Sequence, residues 1–150
     1  MKIYLGGDHA AFPLKEKIKE YLTRDLGYET EDKGALNFDG LDDYPDFIKP
    51  VARAVASDPE RSLGIIMGGS GQGEAMVANR FKGVRATVYY GGPEEIIKLS
   101  REHNDANILS IGARFVSEND ILQAIKLWLN TPFSGEERHT RRIAKIDEDR

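Results

Sequence analysis

The stretch GGSGQGE at residues 68–74 sets an acid directly behind a glycine-rich loop. Glycines admit positive φ and close backbone approach, so successive N–H groups can converge on an anion. A helix beginning behind the loop would add its dipole. Such a loop could cradle a phosphate, or stabilise an oxyanion that forms during a reaction. Glu74 suits the second use as a general base beside the oxyanion site. It suits equally well the first turn of a helix, as a partner for the dipole. Burial would raise its pKa, while the loop dipoles would lower it. Neither the G-x-G-x-x-G fingerprint nor the G-x-x-x-x-G-K-[ST] nucleotide loop is matched.

Histidine is sparse, with only His9, His103 and His139. Each has polar or charged neighbours, in Asp8-His9, His103-Asn104-Asp105 and Arg138-His139. No pair has the tight spacing of a zinc ligand set, so no metal site is expected. The chain has no cysteine, which removes disulfides, thiolate nucleophiles and cysteine-bound metals. Arg114 follows an apolar run, and Arg138, Arg141 and Arg142 cluster in the tail. Arginines of this kind either clamp a phosphate through bidentate hydrogen bonds or line a solvated helix face.

Short apolar runs that alternate with helical patterns must position these groups. KIYLGG, YETEDKG, SLGIIMGG, GVRATVYY and ANILSIGA read as strands. Between them, LKEKIKEYLTRDLG sets Leu14, Ile18, Tyr21 and Leu22 on one helical face and is closed by Gly27. YPDFIKPVARAVAS is helical after Pro45, with Pro50 expected to bend or break its first turns. GEAMVANRF, PEEIIKLSREHN and ENDILQAIKLWLN are further helices, the last with Ile121, Leu122, Ile125, Leu127, Trp128 and Leu129 as its apolar residues. Strand–helix alternation with apolar strands implies a parallel sheet covered on both faces. The expected fold is α/β, a Rossmann-like three-layer sandwich with about five strands. Ligands in such folds sit beyond the carboxyl ends of the strands. That rule gathers GGDHAAF, GGSGQGE and SIGAR.

The chain has 150 residues, a length that fits one domain, with a charged helical tail from about residue 136. Hydrophobic residues make up 40% and the net charge is -4, which argues against a general nucleic-acid or membrane-surface binder. No apolar stretch approaches the ~20 residues of a membrane span. MKIYLGGDHAAF lacks the basic-then-apolar pattern of a signal peptide, so a cytoplasmic protein is expected.

Together these residues resemble the ribose-5-phosphate isomerase B family, which includes galactose-6-phosphate isomerase subunits. The resemblance rests on GGDHAAFPLK at 6–15, DYPD at 43–46 and GGSGQGEAMVANRFKGVRA at 68–86. REHNDANILSIGAR at 101–114 and RHTRR at 138–142 complete it. It implies a metal-independent aldose–ketose isomerase of phosphorylated sugars that needs no cofactor. It also implies a homodimer or dimer of dimers whose active site lies between subunits. By the family pattern, Asp8 and His9 would contact the sugar and its phosphate end. Gly69, Ser70, Gly71 and Gly73 would form the loop that holds the enediolate oxygens. His103, with Asn104, would assist ring opening from the neighbouring subunit. Arg138 and Arg142 would bind phosphate, with His139 and Arg114 nearby. One branch of the family carries a cysteine base where this chain has Gly68. A second branch resembles this chain, and there the glutamate is the base, which gives Glu74 that role.

Ribose 5-phosphate is the expected substrate, with allose 6-phosphate or galactose 6-phosphate as alternatives. A phosphate- or nucleotide-binding module would have no need for Glu74, Ser70 and His103 together. A nicotinamide oxidoreductase would need the dinucleotide fingerprint after the first strand, where GGDHAA stands instead.

Overall fold

The computed structural model describes residues 1–148. Five parallel strands form one sheet in the order β2-β1-β3-β5-β4. They are β1 (Lys2–Gly7), β2 (Glu29–Asp32), β3 (Ser62–Gly68), β4 (Ala86–Tyr89) and β5 (Ile108–Gly112). The six α-helices are α1 (Phe12–Glu20), α2 (Tyr44–Ser57), α3 (Gln72–Ala78), α4 (Glu94–Glu102), α5 (Glu118–Asn130) and α6 (Glu137–Ala144). A π-helical turn, Tyr21–Asp25, extends α1 before the left-handed Gly27 turns the chain toward β2. The strand order reverses between β1 and β3, so a crevice opens where their carboxyl ends diverge.

Alternation along β3 splits the core. Leu63, Ile65 and Met67 face a layer built by α1, α4 and α5, which buries Ile18, Leu22, Ile97, Ile121, Ile125 and Trp128. Ile66 faces the opposite layer, where α2 and α3 contribute Ile48, Val51, Ala52, Val55 and Ala78. Both faces of the sheet are covered, as the apolar strands required.

The α2 helix runs through Pro50 without a break. Proline there removes the hydrogen bond to the Asp46 carbonyl, but Asp46 is exposed and water can replace the donor. The buried stripe of Ile48, Val51, Ala52 and Val55 outweighs the loss.

Lys15 is the unexpected core residue. On α1 it lies one position from the apolar stripe and is completely buried. Its ammonium donates to Asp32 Oδ2 at 2.5 Å and to the Ala35 carbonyl at 2.7 Å. Asp32 Oδ1 in turn accepts from the Gly34 N–H at 2.9 Å. Gly34 and Ala35 then exchange backbone hydrogen bonds with Gly7. The chain leaving β2 is thereby fastened beside the end of β1.

Removing one member of a buried pair strands the other charge. Asp32→Ala should therefore cost about 3–5 kcal/mol in urea denaturation, because Lys15 then keeps only the Ala35 carbonyl and the exposed Glu16 carboxylate at 3.5 Å. Lys15→Met should cost less, since Asp32 retains the Gly34 N–H and Lys19 at 3.5 Å. The reverse order would show that this pair is not what holds the segment.

Candidate active site

The site grows from the ends of β1 and β3. β1 terminates at Gly7, and Asp8 caps the short turn His9–Ala11 by accepting from the Ala10 N–H at 3.1 Å. That cap buries Asp8 and turns His9 outward. Asp42 Oδ1 accepts from the His9 backbone N–H at 3.1 Å and from Nδ1 at 2.6 Å. A carboxylate acceptor at Nδ1 fixes the proton there and leaves Nε2 as the free ring nitrogen.

At the end of β3 the loop closes tightly against β5. Gly71 is left-handed, φ +76°, and a Cβ there would lie 3.0 Å from the Gly112 nitrogen. The carbonyls of Gly68, Gly69 and Gly71 accept from Ala113 N–H, Arg114 N–H and the Ser110 hydroxyl. The loop is thus tied to β5 through its carbonyls. Ser70 Oγ accepts from the Gln72 N–H at 3.3 Å, opening the first turn of α3.

Glu74 occupies that first turn and is buried, only 5% exposed. Its carboxylate lies in the space that a side chain at position 68 would fill. A Cβ built on Gly68 would overlap Glu74 Oε1 and would leave even Oε2 only 3.1 Å away. Burial pushes the carboxyl above the ordinary range, and the nearby Asp8 charge pushes the same way. The N–H groups of Glu74 and Gly71 oppose the shift without cancelling it. Asp8 is raised as well, chiefly by burial, with its Ala10 hydrogen bond opposing. The expected contest between burial and loop dipoles is settled in favour of burial.

A cavity of about 400 Å³ lies between these ends, lined by Asp8, His9, Tyr44, Ser70, Glu74 and Arg114. Gly69 and Gly73 line it too, while Gly71 stands behind as the cap of α3. Arg114 lies over Gly69, and the Tyr44 ring covers Gly73 closely enough that a Cβ there would meet its Oη at 2.8 Å. Asp42 and Tyr44 carried no role in the sequence reading. The only signal for them was the acidic DDYPD run, whose proximity to His9 and Gly73 depends on the tertiary path of the chain. Asp8, His9 and Asp42 also offer three ligating atoms within 4.8 Å of one another. The Asp42–His9 hydrogen bond engages that group internally.

The remaining site residues gather elsewhere. His103 caps the end of α4 and stacks on His139 of α6, ring centroids 4.2 Å apart. Asn104 follows in the turn leading to β5. Arg138 pairs with Glu136 at 2.8 Å, and Arg141 with Glu137 at 3.0 Å. His139 is 4% exposed, and its Nε2 is buried without a hydrogen-bond partner. Its pKa is lowered, mainly by burial and then by His103 and the two arginines Arg138 and Arg142. This cluster adjoins the amino end of β5, where Ile108 pairs with Gly64; Glu74 lies at the other end, where Gly112 pairs with Gly68. Four residues of strand, roughly 13 Å, separate the two ends. One chain therefore brings Asp8, His9, Gly69, Ser70, Gly73, Glu74 and Arg114 together, and keeps His103, Asn104, Arg138, His139 and Arg142 apart from them.

The family model described as Ribose/Galactose Isomerase matches residues 3–146. The chain belongs to the ribose/galactose isomerase family. It is similar to ribose-5-phosphate isomerase B of Mycobacterium tuberculosis, 41% identical over 143 residues, 95% of this chain and 86% of the relative. Among solved structures, ribose-5-phosphate isomerase B from Mycoplasma genitalium, with bound ribulose 5-phosphate, superposes with a TM-score of 0.91. The two are 37% identical, with 97% of this chain and 93% of that chain covered. The Thermotoga maritima ribose 5-phosphate isomerase matches at 0.88 and 41% identity, covering 98% and 97%. The three-layer fold expected from strand–helix alternation is the fold of these family members. No helix among the described residues is long and apolar enough to cross a membrane.

The raised pKa of Glu74 has a consequence for stability. A carboxyl that binds its proton more tightly when folded stabilises the fold fully below its unfolded pKa. That contribution is lost as pH rises through the folded pKa, so at neutral pH the ionised group is a burden. Glu74→Gln should therefore melt higher than the wild type at pH 7. The advantage should vanish in melts taken below the ordinary carboxylate range. A variant that melts lower at pH 7 would mean that the ionised carboxylate is well satisfied where it lies.

Proposed function

We propose that this chain is an aldose–ketose isomerase that interconverts ribose 5-phosphate and ribulose 5-phosphate through a cis-enediolate. The observation that carries the reading is the Glu74 carboxylate, buried beside Ser70 and a glycine loop in a polar cavity. Its pKa is raised by burial, which makes it a stronger base once ionised. The bound ribulose 5-phosphate of the Mycoplasma genitalium relative supports the same substrate class.

The reaction begins with the open-chain aldehyde. Glu74 removes the proton from carbon 2, and the electron pair moves onto the carbonyl oxygen at carbon 1, giving the enediolate. The loop N–H groups around Gly69–Gly73 stabilise its oxygens, and the Ser70 hydroxyl passes a proton from the oxygen on carbon 2 to the oxygen on carbon 1. Protonated Glu74 then delivers its proton to carbon 1, and carbon 2 becomes the ketone. No net redox change occurs, so the reaction calls for no nicotinamide. Asp8 and His9 hold sugar hydroxyls; Nε2 of His9, freed by the Asp42 hydrogen bond, faces that task.

We assign ring opening to His103 with Asn104, and phosphate binding to Arg138, His139 and Arg142 with Arg114 nearby. In one chain all of these but Arg114 lie at the opposite end of the sheet from Glu74, so a second copy would supply them. Met76 on α3 and Phe115 at the cavity mouth are 65% and 66% exposed, and they offer apolar surface for that copy. The assembly is a homodimer or a dimer of dimers of single-domain subunits. A phosphorylated sugar does not cross membranes unaided, which places the reaction in the cytoplasm.

A coupled assay with ribose 5-phosphate and no added cofactor should show isomerisation, which a phosphate-binding module could not produce. Glu74→Gln should lose ~10²–10⁴-fold in turnover while binding survives. Gly68→Ala should fold yet lose turnover too, because its methyl must displace the flexible end of Glu74. Near-normal turnover in Glu74→Gln would move the base to Asp8. Parallel assays with allose 6-phosphate and galactose 6-phosphate should give lower kcat/KM, and the opposite ranking would reassign the sugar.

The phosphate does not react, so its clamp should act mainly through binding. Arg138→Ala or Arg142→Ala should raise KM more than it lowers kcat, and inorganic phosphate should lose potency as an inhibitor. Arg141→Ala should do little, because on α6 Arg141 stands off the face that Arg138 and Arg142 share four residues apart. Unchanged KM in both former variants would leave the phosphate to Arg114 and His9. A fully active monomer in light scattering would exclude the shared site.

A further inference from the structure

The turn that carries His103 and Asn104 is held by two arginines that no part of the mechanism uses. Asp105, next in sequence, has φ +44°, the one positive value among the described non-glycine residues. An aspartate tolerates that region better than most side chains, but at a cost that its surroundings must offset. Arg85, just before β4, reaches across to this turn. Its Nε donates to the Asn104 carbonyl at 3.1 Å and the Asp105 carbonyl at 2.8 Å. Its Nη2 donates to Asp105 Oδ2 at 2.8 Å. Arg101 grips the other side, with Nη1 bonded to Asp105 Oδ1 at 3.0 Å and the Ala106 carbonyl at 2.5 Å. Arg101 is itself packed over the Trp128 ring, 5.3 Å from its centroid. The two grips differ in kind. Arg101 anchors the turn to the core, whereas Arg85 holds the backbone of Asn104 itself.

We propose that Arg85 is a positioning residue for ring opening, setting the turn from which His103 and Asn104 reach the sugar. This rests on the reading that gives ring opening to His103. In that step the proton leaves the anomeric hydroxyl and the bond from carbon 1 to the ring oxygen breaks. The ring oxygen takes up a proton, and carbon 1 becomes the aldehyde. Only then is the proton at carbon 2 acidic enough for Glu74. A donor and acceptor must be held to both oxygens at once, and a misplacement of about 1 Å can cost on the order of 10²-fold. A guanidinium that bonds two successive carbonyls and the carboxylate between Asn104 and Ala106 supplies that rigidity. A methionine of similar length could pack there but could not hold them.

Proton exchange on a sugar that is already open separates this role from a general one. Ribose 5-phosphate is mostly cyclic in water. Ribulose 5-phosphate is acyclic, because its carbon-5 oxygen carries the phosphate and cannot close a five-membered ring. The experiment compares kcat/KM for ribose 5-phosphate with the rate of solvent deuterium exchange at carbon 1 of ribulose 5-phosphate, for the wild type, Arg85→Met and Asp105→Asn. Asparagine accepts the left-handed backbone, so the second variant removes the ion pairs while keeping the turn's conformation. Both variants should lose about 10–10²-fold in kcat/KM for ribose 5-phosphate, yet stay near the wild type in exchanging the carbon-1 proton of ribulose 5-phosphate with solvent deuterium, which involves no ring opening. Equal losses in both measurements, or no loss in either, would overturn the proposal. Glu74→Gln serves as the control that must fail from both sugars. A wild type inactive on both would remove the isomerase reading itself, a result distinct from either outcome for Arg85.

Discussion

Everything at the site depends on a carboxylate buried where a side chain could have been. Gly68 ends a strand whose odd residues, Leu63, Ile65 and Met67, point to one helical layer. Its own face is the other one, shared with Ile66 and turned toward α3. With no Cβ, position 68 leaves a slot at the sheet surface, and the loop returns Glu74 into it. The cysteine that one branch of the family carries at this position and the glutamate of this chain therefore compete for one volume. A chain can have either base there, but not both.

Burial in that slot is unfavourable for a charge, and the fold has to hold it against the tendency to relax. Two features do so. The carbonyls of Gly68, Gly69 and Gly71 are tied to β5, so the loop cannot swing away without breaking them. The N–H groups of Gly71 and Glu74 meanwhile offset part of the carboxylate's desolvation. An acid at the exit of an anion-welcoming loop is then no contradiction. In the resting state the loop amides favour the negative charge on Glu74. In the proposed reaction, when Glu74 takes a proton the charge would pass to the substrate oxygens, still within reach of the same dipoles. Charge moves along the loop without leaving its field, which keeps the reorganisation small.

The layered fold and the gathering of the loops after β1, β3 and β5 were legible because they rest on local periodicity and one topological rule. Glu74 was legible as a candidate because its spacing from the glycines is local as well. Lys15 was not. Its sequence neighbours Leu14 and Ile18 read as an apolar face, and a lysine beside them reads as solvated. Only the return of Asp32 and Ala35, 17 and 20 residues later, gives its charge a partner in the interior. Asp42 was hidden for the same reason, since its link to His9 spans 33 residues through an irregular segment. Pro50 erred in the opposite direction. A local rule predicted a disrupted helix, and the buried stripe of α2 overrode it.

The division of the site residues between two ends of the sheet follows from the chemistry of the strands. Parallel strands direct their carboxyl ends, and the loops behind them, to one side; that side takes the base and the oxyanion loop. The turn after α4 must enter β5 at its amino end, so His103 and Asn104 fall on the other side whatever their role. The tail comes to rest there too, with His139 stacked on His103 and the Ser134 N–H bonded to the Glu102 carbonyl. Burial and the neighbouring arginines keep His139 from charging readily. A less readily charged imidazole adds little positive repulsion beside Arg138 and Arg142, of which Arg138 is paired with Glu136 at 2.8 Å. In the proposed assembly, a phosphate dianion held across two subunits would have to draw Arg138 away from Glu136, an exposed partner that such a charge can replace.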